Sequence, residues 1–424
     1  MNFEPKLYRL SNGIPVILDN MDIETATVNV AFDTGARDER PNEYGITHFC
    51  EHVFCLGSKR FFTKKERRDF LENHGGIRNA ATGLTNITFS GRIIAENLNV
   101  LLNVIADMLH NALFDCEQID LERGVVIDEL HRNMDKPGRE FYNFIMKNTY
   151  NSFVPNGLLV LGNEENIKSF TPKQLKEYIS NHLSARNCVI VISGRILDTD
   201  AVIKHLDNLF SFLPNKEVVK DTSKVYTPFI GNNKVNSNNV KLNILWPVLC
   251  KDTYENRYKN KCISVFDSFF RRELMEILRN QNGLVYGVDN SSCGYPHDEI
   301  FGIGTEVSVE NIERLMALIA KTAYRIYNEN PITQQEIDKM FNVGRLGDAD
   351  FLESSTYRCD QLSFFYRFYG RVYDFNENIK QKKAVNSEDV IKYTRGYFDG
   401  DMSIITQGSD FNCDLKQIWQ DNFK

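Results

Sequence analysis

No apolar run in these 424 residues approaches 18 in length, the span at which a helix begins to cross a bilayer, so no transmembrane helix is expected. Nor does any pair of the nine cysteines show C-x-x-C spacing. Odd in number and scattered (Cys50, Cys55, Cys116, Cys188, Cys250, Cys262, Cys293, Cys359 and Cys413), they read as reduced thiols rather than as a disulfide framework or a structural zinc knot. The first ten residues lack both an apolar signal core and an acid-free, arginine-rich transit pattern, so the cytoplasm is the expected compartment. Positive charge is not in excess: 50 Lys and Arg against 57 Asp and Glu leave a net charge of −7, which argues against a nucleic-acid partner. The 42% hydrophobic and 25% charged residues that are present describe a soluble globular protein. Its length exceeds what one core usually serves, so two domains are expected.

Strand signals come first. Leu7 to Asp19 carries a turn at Asn12-Gly13 between apolar stretches and reads as a hairpin; Val28, Val30 and Phe32 alternate in a following strand. A helix is expected from about Tyr44 through His52, and another over Lys64 to His74, stopped by Gly75-Gly76. Strand character returns over Asn79 to Ile94, and helical patterns occupy Ala95 to Ala112, Cys116 to Met134 and Pro172 to Leu183. An apolar strand, Val189 to Ser193, closes this half. The second half repeats that ending, with Ser387 to Tyr393 followed by Ser403 to Thr406 and Gly408. A single repeat at so long a period reads as a duplicated domain. The division drawn is 1–213, a linker 214–239 rich in Lys, Asn, Ser and Thr, and 240–424. Strands mixed with helices without strict alternation favour an α+β fold, two related α/β sandwiches with helices on mainly antiparallel sheets.

The chemistry concentrates between Gly45 and His52, where His48, Glu51 and His52 form an H-x-x-E-H motif. At i, i+3 and i+4 on a helix the three side chains share one face. Two imidazoles four apart can meet one zinc ion, with the glutamate beside them acting on a water without being a ligand. A catalytic zinc takes a third protein ligand. Helix 116–134 offers Glu122, Asp128 and Glu129, and composition alone does not choose among them.

Over essentially the whole chain the sequence resembles the pitrilysin, insulinase and mitochondrial processing peptidase family of zinc metallopeptidases. That family pairs H-x-x-E-H with a glutamate at a set distance downstream, which closes an E-R-x-V-x-x-x-E segment. Here Glu129 stands at the family's spacing from His52, and Glu122-Arg123-Gly124-Val125 leads into it. The resemblance implies one Zn²⁺ per chain on His48, His52 and Glu129, with Glu51 as general base and Glu122 as a carboxylate that orients the site. Gly75 to Thr82 resembles the family's Asn-Ala-x-Thr edge strand, which implies that Asn79 and Ala80 pair with an extended peptide substrate. Arg279 to Tyr286 resembles the family's Arg-x6-Tyr, which implies that Arg279 and Tyr286 contact the substrate carbonyl. Cys50 and Ala81 depart from the family's usual aliphatic and bulky residues; Cys50 reads as a buried apolar filler. In the second copy Met340 and Gly347 stand where Glu122 and Glu129 stand in the first, so that half is expected to be metal-free. Short members of the family close as two-chain clamshells, which implies a homodimer acting on peptides or unfolded polypeptides. The alternatives are a subunit of a processing-peptidase-like heterodimer and a non-catalytic structural core subunit.

Overall fold

The structure is a computed structural model that describes residues 3–149, 160–218, 226–248, 250–291, 300–329 and 332–424. No disulfide joins the eight described cysteines, and Cys293 lies outside the described residues. The described residues divide into two compact units. One gathers those within Met1–Arg139, Leu158–Ser223 and Gly347–Asp374, the other those within Glu140–Gly157, Lys224–Leu346 and Phe375–Lys424.

Six strands build the first sheet: β1 (Lys6–Arg9), β2 (Pro15–Asn20), β3 (Thr25–Phe32), β4 (Gly76–Thr82), β5 (Ile87–Ile94) and β6 (Cys188–Gly194), in the order β1-β2-β6-β3-β5-β4. Only the β2–β6 pair is parallel. The expected hairpin is present, with Gly13 at φ 94° in its turn. The strand character expected over 79–94 is present and resolves into the β4–β5 hairpin, because the turn at 83–86 reverses the chain. Val28 and Val30 pair across with Ile192 and Ile190 and face a core shared with helices Ile46–Cys55 and Leu98–His110.

Alternation on β3 predicts one buried face, yet seven of its eight residues are buried. The second face is covered by helix Ser355–Tyr369 of the same unit. It packs on β6, β3 and β2 through polar contacts: Arg358 to Asp19 at 3.1 Å, Ser355 to Thr27 at 2.8 Å and Asp360 to Asn29 at 3.0 Å. Burying charge is tolerable here because each group has a partner.

The second unit's sheet consists of β7 (Ile230–Lys234), β8 (Asn239–Pro247), β9 (Asp289–Asn290), β10 (Ile300–Ser308) and β11 (Ser403–Gly408), in the order β7-β11-β8-β10-β9. β7 falls inside the stretch 214–239 expected as linker. With β1 set aside, strand order and direction repeat those of the first sheet: β7–β11 is the parallel pair and the rest are antiparallel. The step from Pro15, which opens β2, to Ile230, which opens β7, equals the step from Cys188 to Ser403, which open β6 and β11. Each unit is thus a copy of one α/β plan. The second core is built around Trp246, which touches Phe301, Phe398 and Trp419. Among the described residues no helix is long and apolar enough to cross a membrane.

Candidate metal centre

The helix carrying His48, Glu51 and His52 spans Ile46–Cys55. Gly45 precedes it at φ 93°, where a Cβ would stand 2.7 Å from the Leu161 carbonyl oxygen, so only glycine fits. No side chain next to the helix caps it. Glu39, buried, instead accepts hydrogen bonds from the backbone N–H groups of Gly45 at 2.7 Å and Thr47 at 2.9 Å, satisfying donors that a helix start leaves open. At the other end Arg67 donates to the carbonyls of Cys55 and Leu56. The helix is therefore pinned at both termini by residues outside it.

Helix Cys116–Met134, capped by Asp115 on the Gln118 N–H at 2.9 Å, brings the third donor. Glu129 lies 3.4 Å from His52 Nε2 and 3.9 Å from His48 Nε2, and all three donor atoms lie within 4.8 Å of one another. Zinc bonds of about 2.0–2.1 Å set tetrahedral ligand atoms roughly 3.4 Å apart, so the residues fit a metal with little movement. Among the described residues this is the one group of its kind. Of the three carboxylates left open by composition, Glu129 joins the imidazoles, Glu122 stands behind them and Asp128 is exposed.

Burial, with the neighbouring His52 adding to it, pushes His48 down to about 3, so its ring is neutral and able to ligate at neutral pH. Glu122 is buried and accepts from His52 Nδ1 at 2.7 Å, which leaves His52 Nε2 to face Glu129; its other oxygen takes Lys64 Nζ at 2.7 Å. Burial works to raise the Glu122 carboxyl, but the His52 and Lys64 hydrogen bonds prevail and hold it below the usual range. Burial raises the pKa of Glu51, and the Glu129 charge adds to this against the Thr82 hydroxyl, which donates to Glu51 at 2.6 Å. An upward shift makes this carboxylate a stronger proton acceptor than an exposed glutamate, which suits a general base.

Asn79 is exposed and Ala80 half-buried on β4, whose outer edge has no strand partner among the described residues. Arg279 and Tyr286 lie in the second unit, both exposed. The helix there ends at Gln281, and Gly283 at φ 59° turns the chain so that the guanidinium sits 5.0 Å from the Tyr286 ring centre. Cys50 is buried, with its thiol toward the Leu175 carbonyl at 3.9 Å and its pKa raised by burial, as befits a core filler. Sequence reasoning missed Glu39, Arg67 and Lys64. No local pattern marks them, since each acts on a helix that does not contain it. Thr82 belongs to the Asn-Ala-x-Thr segment, a pattern that gives no sign of its hydrogen bond to Glu51.

Comparison with known proteins adds the following. The family model described as insulinase (peptidase family M16) matches residues 16–159, and that of the peptidase M16 inactive domain matches residues 169–342. A Rickettsia bellii protein named an uncharacterized zinc protease is 25% identical over 399 residues, covering 92% of this chain and 94% of its own. The Bacillus subtilis protein named an uncharacterized zinc protease YmxG is 25% identical over 406 residues, covering 94% and 97%. An Arabidopsis thaliana protein named as a probable mitochondrial-processing peptidase subunit beta is 30% identical over 211 residues, 50% of this chain and 39% of that one. The crystal structure of a protease from Helicobacter pylori superposes with a TM-score of 0.81 at 16% identity, covering 96% and 100%, a likeness of fold.

Proposed function

The chain belongs to the insulinase family of peptidases, family M16, and on that premise we propose that it is a zinc-dependent endopeptidase acting on peptides or unstructured polypeptides. The observation that carries this reading is the convergence of His48, His52 and Glu129 with Glu51 on the same helix. Zinc is the cofactor, and when held by those three side chains it supplies Lewis acidity, making water acidic near neutral pH and polarising a carbonyl.

The chain's own residues do the rest. Glu51 takes the proton of the attacking water and returns it to the leaving amine, with Thr82 fixing one of its oxygens. Glu122 orients His52 by accepting from Nδ1. The open edge of β4 pairs with an extended substrate at Asn79 and Ala80, holding backbone rather than reading sequence. Arg279 and Tyr286 donate to the carbonyl under attack. We take 1–213 as the stretch that carries the catalytic residues and 240–424 as metal-free, with helix Ser355–Tyr369 of the latter finishing the first sheet. Both the triad and the Arg–Tyr pair are on one chain, which favours a homodimer in which each copy completes the other. The half-chain match to relatives named as beta subunits favours, as a second reading, a homologous partner in place of the second copy. The odd, scattered cysteines, without C-x-x-C spacing, favour the cytoplasm as the compartment.

The test is metal content of the purified chain together with cleavage of an unstructured-peptide mixture, with and without chelator. About one zinc per chain and chelator-sensitive cleavage are expected. Glu51→Gln is expected to keep the zinc and lose about 10²–10⁴-fold in turnover. Loss of zinc in that variant would make Glu51 a ligand and overturn its role as base.

A further inference from the structure

Beside the metal triad, a cleft of about 410 Å³ opens within the first unit between the helices Ile46–Cys55 and Lys64–Asn73 and strand β4. Glu51 and Cys55, one helical turn apart, form one wall. Three cations line the cleft, Lys64, Arg68 and Arg78, against two carboxylates, Glu51 and Glu72. The cations differ in what they already hold. Lys64 is tied to Glu122 at 2.7 Å, and Arg68 stands 3.5 Å from Asp69 and 3.8 Å from Glu72. Arg78 is half-buried and has no carboxylate within 4.0 Å among the described residues; it donates to Cys55 Sγ at 3.3 Å.

Strand alternation puts Arg78 on the same face of β4 as Thr82, whose hydroxyl reaches Glu51 at 2.6 Å. The guanidinium therefore projects on the side of the proposed general base, next to the open strand edge. A substrate strand laid along that edge alternates its side chains in the same way, and every second one meets this face. A planar, permanently charged guanidinium in a half-buried cleft is matched by a carboxylate, which it can bind through two parallel hydrogen bonds.

We propose that this cleft is a subsite for a substrate carboxylate close to the scissile bond, with Arg78 as the residue that reads it. The proposal rests on the endopeptidase reading and names its substrate preference: acidic positions are accepted in this cleft and basic ones repelled. Two sources share the chemistry, an internal Asp or Glu side chain and the peptide's own C-terminal carboxylate.

The experiment uses the full-length chain and short fluorogenic peptides of one parent sequence. One set is neutral and C-terminally amidated, a second carries Asp or Glu moved through successive internal positions, and a third is neutral with a free C-terminus. Two quantities are read: kcat/KM on the zinc-loaded chain, and affinity for the chelator-treated chain by fluorescence anisotropy. At one position an acid is expected to exceed the neutral peptide roughly 10- to 100-fold in both. Arg78→Met is expected to bring that ratio toward one, Arg78→Lys to keep part of it, and Arg78→Glu to shift the preference to lysine at the same position. A gain confined to the free C-terminus keeps the subsite and assigns it to the terminal carboxylate. A wild-type ratio near one overturns the proposal, as does an equal loss on acidic and neutral peptides in Arg78→Met. Binding preference without any cleavage would remove the endopeptidase reading and leave the subsite; cleavage without preference would do the reverse.

Discussion

His52 can offer Nε2 toward Glu129 because Glu122 takes its Nδ1 at 2.7 Å. Without that partner the imidazole is free to exchange tautomers and rotate, and only one arrangement suits a ligand. Glu122→Gln keeps the shape but lets the amide present its N–H₂ group, so metal affinity is expected to fall roughly 10- to 100-fold. Competition with a chromogenic zinc chelator measures this, and unaltered affinity would reduce Glu122 to a core carboxylate paired with Lys64. The residues closest to the chemistry were the most legible ones. His48, Glu51 and His52 are read from an i, i+3, i+4 pattern that any helix honours. Glu129 needed the family spacing as well, since Asp128 beside it is as good a ligand by composition.

At the scale of elements, helix Ser355–Tyr369 decides how the first sheet is finished. Arg358 and Asp19 are both fully buried at their contact, so removing one strands the other without water. Arg358→Met is expected to destabilise the protein by about 3–5 kcal/mol, and adding Asp19→Asn to recover part of that loss. Urea unfolding of the single and double variants measures it; equal midpoints for wild type and Arg358→Met would mean the pair contributes nothing. In helix Arg257–Leu274, burial pushes Asp267 up to about 7 from its ordinary 3.8, against the opposing hydrogen bond from Tyr397 at 2.6 Å and the charge of Arg271. A folded state that holds a proton the unfolded chain releases loses stability as pH rises between those two values, by at most about 1.4 kcal/mol per pH unit. Asp267→Asn, which can still accept from Tyr397, should therefore gain on wild type between pH 4 and pH 7 and level off above. A stability gap independent of pH would show that Asp267 does not titrate in this window.

For the whole molecule the question is how many chains make one site. If Arg279 and Tyr286 serve the partner's triad, two inactive variants should complement each other. Glu51→Gln chains mixed equally with Tyr286→Phe chains form mixed dimers, each with one intact composite site. Activity is then expected to return to about a quarter of wild type after subunit exchange. No recovery, with light scattering showing that exchange took place, would put each site on a single chain.

The duplication, the α+β class, the helix bearing H-x-x-E-H and the approximate bounds of the first half's main strands and helices were legible in the sequence, since they follow from periodicity and from glycine and capping residues acting within a few positions. Helix Cys116–Met134 was read to the residue because Asp115 caps it locally. The β4–β5 turn was not, because strand-forming residues on both sides hid a short loop. What only the tertiary structure decided acts across long stretches of chain. Glu39 and Arg67 pin the ligand helix from outside it, and Glu122 and Lys64 meet behind His52. Helix Ser355–Tyr369, from the far part of the chain, buries the second face of a sheet whose strand β3 begins at Thr25. The alternation of one strand states that a face is apolar or polar, but not what will cover it. That is settled when distant segments compete for the same surface, and the winner is the one whose buried charges find partners.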